Sequence, residues 1–200
     1  NYVIIGGSSG IGKALVNLLE DADNHVFATY HQNPVESHGN VSYHPFDVLN
    51  DPFPLEQVPE EIHGLAYCPG SINLKPFHRF SEEDFMEDYK LQVLGATHVI
   101  QQLLPRLKAG GSSSIVLFST IAVQHGFNFH SQVAMSKGAI EGLTRALAAE
   151  LAPGIRINAI APSLTDTSLA GRLLNTPEKA SAQAERNPLK KVGEPEDIAE

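Results

Sequence analysis

The sequence predicts an α/β fold, a doubly wound parallel sheet with helices on both faces, in a single domain over residues 1–200. Two observations carry that expectation. Short apolar runs recur along the chain, and between them lie segments whose apolar residues repeat at helical spacing. The first run is joined to the first helical segment by a glycine-rich turn, Gly6-Gly7-Ser8-Ser9-Gly10-Ile11-Gly12. Right-handed crossovers between parallel strands then place helices on both faces.

Taken in order, Tyr2–Ile5 reads as a buried strand. Ile11, Ala14, Leu15, Leu18 and Leu19 space a helix over 11–20. Residues 25–30 and 41–46 read as the second and third strands, 65–67 as a short fourth and 114–118 as the fifth. Helices are expected over 82–108 and 131–152, and a sixth strand over 156–160. The stretch 164–193 has no strand pattern and carries Pro177, Pro188 and several Ala and Ser. It is expected to pack as short helices over the sheet edge. Its Arg172, Lys179 and Arg186 would face an acidic substrate or solvent.

Composition narrows the function. Hydrophobic residues make up 42% and charged residues 18%, a globular balance. Twenty-three acids against fourteen Lys and Arg give a charge of −9, which argues against a nucleic-acid partner. The single cysteine, Cys68, excludes an intramolecular disulfide and a multi-cysteine zinc site, and reads as buried and inert. Nine histidines are scattered without an i, i+4 helical pair, so no metal is expected. No apolar run approaches the ~20 residues of a membrane span. With no visible signal peptide, a cytoplasmic location is expected. The chain starts at Asn1 without Met and ends at Glu200 inside a helical pattern, so both ends read as trimmed.

The glycine turn carries the first chemistry. Between a strand and a helix, Gly6 permits the sharp exit, Gly10 lets a pyrophosphate approach the backbone, and Gly12 lets the helix pack on the strand. Ser8, Ser9 and Ile11 complete the loop, and the helix N-terminus favours the anion. The expected ligand is a dinucleotide, in a Rossmann-like fold. The acid that would take a ribose 2′-hydroxyl about 20 residues on is missing. Thr29-Tyr30-His31-Gln32-Asn33 stands there instead, with no carboxylate to repel a 2′-phosphate. His31, Ser8 and Ser9 offer donors to one, which favours NADP over NAD. The other reading makes His31 a solvated loop histidine.

With these residues in view, the chain resembles the short-chain dehydrogenase/reductase family over essentially all 200 residues. The glycine loop matches its nucleotide-binding motif. Asp47-Val48 resembles its adenine-contacting pair, and Gly70 alone is kept where the family has Asn-Asn-Ala-Gly. Ser136-Lys137-Gly138-Ala139 matches the end of its active-site helix motif. The run from Gly154 to Pro162 resembles its strand-six signature. Pro162, Thr165 and Thr167 then stand as cofactor contacts. The resemblance implies an oxidoreductase for a small carbonyl or alcohol. It also implies a homodimer or homotetramer through helices 82–108 and 131–152, and a substrate lid in 164–193. The family's last helix and strand are missing, so six strands are expected.

Family members use a Ser, a Tyr and a Lys. A hydroxyl polarises the carbonyl oxygen, and a Tyr whose pKa a neighbouring ammonium lowers supplies the proton. Lys137 is present here, but four residues earlier stands Val133, and all five Tyr precede residue 90. The Ser position is Thr120, with Ser119 beside it, and Gln92 replaces a helix Asn that supports proton relay. Three readings stay open. The protein is an oxidoreductase whose proton comes from Lys137 through a water, His130, Ser131 or His125. Or it is a silent NADP-binding pseudo-enzyme with a regulatory role. Or Val133 is an engineered change. The bland readings make Lys137 a holder of the ribose hydroxyls only, or a solvated helix lysine.

Overall fold

Tyr2–Ile5 forms β1 in the middle of the sheet, where its apolar residues are covered on both faces. The computed structural model describes residues 1–20 and 23–200. After β1 come α1 (Gly10–Leu19), β2 (Val26–Tyr30), β3 (Val41–Pro45) and β4 (Gly64–Tyr67). Next are α2 (Glu82–Tyr89), a π-helical turn (Lys90–Leu94) and α3 (Gly95–Ala109). Then follow β5 (Ser113–Phe118), the short α4 (Ala122–His125), α5 (Ser131–Leu151) and β6 (Ile155–Ile160). Beyond the sheet lie α6 (Gly171–Leu174), α7 (Pro177–Arg186) and α8 (Pro195–Ala199). Every strand lies within a residue of its expected bounds.

All neighbouring strands pair in parallel, in the order β3-β2-β1-β4-β5-β6. The chain winds outward from β1 to β3, then returns to the far side of β1. That reversal opens a crevice at the C-terminal ends of β1 and β4. Alternate residues of β1 serve different cores. Val3 and Ile5 join Leu103, Leu107, Ile115 and Ile140 under α3 and α5. Ile4 joins Val16, Val26 and Ala28 under α1.

One expectation is corrected. The helix over 82–108 is interrupted by the π-helical turn at Lys90–Leu94, and α3 ends at Ala109. Inside that turn the Tyr67 hydroxyl, at the end of β4, donates to the Leu91 carbonyl at 2.5 Å. Gly95 leaves the room, since a Cβ there would run into Tyr67 Oη and Val48. The widened turn is therefore a tertiary effect, and such turns recur at functional sites. It brings Gln92 to the crevice.

Candidate active site

A cavity of about 1150 Å³ occupies the crevice, and it is lined by the glycine-loop residues, His31, Asp47, Val48, Gly70, Gln92, Ser119, Thr120, Lys137, Pro162, Thr165 and Thr167 that the sequence singled out. At the exit of β1, Gly6 adopts φ +77, and its N–H donates to Thr29 Oγ1 at 3.0 Å. Gly10 starts α1 at φ +51. Ser9 precedes it in extended backbone, and its hydroxyl caps nothing. The first N–H groups of α1 thus stay open to an anion. A Cβ on Gly12 would collide with the Gly6 carbonyl, so the helix sits directly on the strand exit. Ser8, Ser9 and Ile11 line the same end, with Thr167 against Gly10. This cradle fits a pyrophosphate.

Beyond it, β2 and β3 end at His31 and at Asp47 and Val48. Asp47 accepts from Asn50 Nδ2 at 2.7 Å and from the Leu49 N–H at 2.9 Å. These bonds, Asn50's above all, hold its carboxyl below the usual carboxylate range. His31 Nε2 lies 3.4 Å from Asp47 Oδ2, so His31 is paired as well as exposed. Pro162 accepts from the Ile121 N–H, and Thr165 Oγ1 donates to the Ser163 carbonyl at 3.1 Å.

At the other end, β5 delivers two hydroxyls with different tasks. Ser119 Oγ donates to Glu141 Oε1 at 2.7 Å, which ties it to α5. Thr120 Oγ1 only accepts from the Ala122 N–H, at 3.3 Å, so its proton remains available. Val133 is buried in the cavity wall in the first turns of α5, at 5% exposure. One helical turn on stands Lys137, with no hydrogen bond or ion pair among the described residues. Burial lowers its ammonium to about 8, against the opposing pull of Asp88 and Cys68. Burial likewise pushes the Cys68 thiol up to about 12, which keeps it protonated.

Behind Lys137, Gln92 meets a carboxylate that the sequence reading missed. Asp88, 4% exposed, accepts from Ser71 Oγ and Gln92 Nε2 on Oδ1 and from Ser136 Oγ on Oδ2. The Gln92 bond is 2.7 Å and the Ser136 bond 2.6 Å. The i, i+4 spacing of Asp88 and Gln92 was a visible signal. That Ser71 and Ser136 meet the same carboxylate was not.

Of the other proton donors considered, His130 lines the cavity with Nδ1 2.8 Å from the Asn128 carbonyl. His125 and Ser131 do not line it, and Ser131 Oγ is buried without a partner among the described residues. Phe127 and Phe129 form part of the wall while half exposed, and Phe129 sits at φ 70, a strained setting for an aromatic residue. Of the three cations in the 164–193 stretch, Arg186 reaches the cavity lining and Arg172 and Lys179 do not.

The strand order and the glycine cradle define a domain of the Rossmann type. The chain belongs to the short-chain dehydrogenase/reductase family, a family of oxidoreductases acting on small molecules. A family model described as Enoyl-(Acyl carrier protein) reductase matches residues 54–200. A tropinone reductase homolog of Arabidopsis thaliana is 32% identical over 218 residues, spanning 98% of this chain and 70% of the relative. The L-xylulose reductase of Bos taurus is 27% identical over 207 residues, 99% of this chain and 85% of its own. Among solved structures, a short chain dehydrogenase family protein from Francisella tularensis superposes with a TM-score of 0.87 at 25% identity, over 100% of this chain and 87% of that one. ElxO with NADP bound gives 0.85 at 25% identity, over 100% and 88%.

Proposed function

We propose that this protein is an NADP(H)-dependent oxidoreductase for a small carbonyl or alcohol, with a proton donor other than Tyr. The observation that carries the reading is the union, in one cavity, of an open pyrophosphate cradle with the Thr120 hydroxyl and the Lys137 ammonium. A bound nicotinamide would supply or accept the hydride. The chain's own part is to orient the two reactants and to stabilise the oxygen. Thr120 has its proton free to polarise a carbonyl oxygen. Lys137 can hold the ribose, meet the same oxygen, or do both. Ser119 is tied to Glu141, so its part is to fix α5 against β5.

Support for NADP over NAD comes from the absence of a carboxylate at the end of β2 and from the donors of Ser8, Ser9 and His31. Asp47 lies nearby, but its carboxylate already accepts from Asn50 and Leu49 and stands 3.4 Å from His31. The half-exposed Phe127 and Phe129 favour a substrate with an apolar part. The reading includes a cytoplasmic homodimer or homotetramer packed through α3 and α5, with α6 and α7 as a lid. The apolar wall at Val133 favours a second reading, a silent NADP-binding protein.

The test is a pair of fluorescence titrations with NADPH and NADH, followed by NADPH oxidation over a panel of aldehydes and ketones. Tighter binding of NADPH and turnover of at least one carbonyl are expected. Binding without turnover across the panel supports the silent reading. Failure to bind either nucleotide overturns both.

A further inference from the structure

We propose that Asp88 is a positioning residue that makes Lys137 the proton donor of this site, acting through its charge and through Gln92. The inference rests on the functional reading above. It starts from a buried carboxylate that the hydride chemistry does not itself require. Asp88 lies in α2, outside the cavity lining, and collects donors from three places. These are Ser71 after β4, Gln92 in the π-helical turn and Ser136 in α5, the residue just before Lys137. Among the described residues it has no ion-pair partner in contact, and Lys137 is the cation that its charge reaches.

The carboxylate fixes the amide of Gln92. A carboxylate only accepts, so the NH2 of Gln92 must face Asp88 and Oε1 must turn away. Oε1 is fully buried and has no partner among the described residues. It comes out beside Gly70. A Cβ on Gly70 would stand 3.5 Å from Gln92 Oε1 and 3.8 Å from Lys137 Nζ, so the orphan acceptor and the free ammonium flank the same spot. Leaving a buried acceptor unpaired costs about 1–3 kcal/mol, which a proton of the ammonium, or one water between them, would recover. Nζ is thereby steered to the side of Gly70 and the cavity, with Val133 offering no competing polar group.

The groups that set the charge of Lys137 are few. Asp88 faces it from α2, Cys68 at the end of β4 stays a neutral thiol in this pH range, and the ends of β5 and β6 contribute hydroxyls and apolar surface. Asp88 opposes the burial that would otherwise strip the proton. In the step itself, the carbonyl carbon gains hydride from the reduced nicotinamide, and its π pair moves to oxygen. An Nζ–H bond breaks as the O–H bond forms. The neutral amine then regains its proton from water.

Asp88→Asn removes the charge and keeps the fold. Its Oδ1 still accepts from Ser71 and Gln92, and its new NH2 donates to Ser136, whose hydroxyl can turn. The measurement is competitive labelling of the full chain with acetic anhydride across pH, with Lys137 read by mass spectrometry. In the unaltered chain Lys137 is expected to titrate near 8, and Asp88→Asn to lower the midpoint by about one pH unit. Glu87→Gln, which removes an exposed neighbouring acid, is expected to leave it in place. A midpoint near the ordinary ~10.4 in the unaltered chain overturns the proposal, and needs no variant to fold. So does a midpoint that Asp88→Asn does not move, or that Glu87→Gln moves equally. On a carbonyl that turns over, the alkaline limb of kcat/KM must shift down with the labelling midpoint. A labelling shift without a limb shift overturns the donor role. The labelling needs no substrate, so a chain that labels as expected but reduces nothing locates the failure in the functional reading.

Discussion

The two ends of the cavity are built differently. At the dinucleotide end, glycines and an uncapped helix start leave backbone N–H groups open, and side chains do little. At the chemistry end, side chains carry the function, and those around Thr120 and Lys137 are bound to one another. Ser119 is held by Glu141, Gln92 by Asp88, and Asp88 by two serines besides. The lesson is that an anion cradle follows from a short local motif. A proton donor depends on burial and charge collected from elements far apart in the chain.

The comparison breaks most visibly at Gly12. Gly12→Ala drives a methyl into the Gly6 carbonyl. We expect it to cost about 3 kcal/mol of stability and to abolish NADPH binding, read by urea unfolding and by fluorescence titration. Lys137→Met acts at the other end. It is expected to lower kcat/KM by ~10²–10⁴ while the fold and its unfolding midpoint stay close to those of the unaltered chain. The same account fixes a pH dependence. The reduction needs the ammonium, and burial sets its pKa at about 8. The rate should hold below that pH and fall about tenfold per unit above it, a limb that Lys137→Met removes. The smallest effect is at His31, which is exposed. His31→Ala should weaken NADPH by no more than about fivefold and leave NADH unchanged. Equal losses for both nucleotides would make His31 a general support of the loop.

How much of this the sequence revealed divides along the same line. Tyr2–Ile5, the glycine turn and α1 were legible because strand, turn and helix are contiguous and each has its own period. The π-helical turn was not, because it depends on Tyr67 reaching Leu91 and on Gly95 making room. Thr120, Val133 and Lys137 could be placed through the resemblance to the family's motif. Their working states could not. Nothing in Ser119-Thr120 says which hydroxyl Glu141 will take, and Asp88 looks like one more acid after Glu82, Glu83, Asp84 and Glu87. Its burial is fixed by α5 and by the loop after β4, both distant in sequence.

The most direct test of the account compares the unaltered chain with Val133→Tyr. Both would be shown to bind NADPH, then assayed for NADPH oxidation on the same panel of aldehydes and ketones. The account predicts that the unaltered chain turns over at least one carbonyl, with a rate that falls above about pH 8. An unaltered chain that binds NADPH and stays silent on a carbonyl that Val133→Tyr reduces would contradict it. The scaffold would then be competent, and this chain would bind its cofactor without using it.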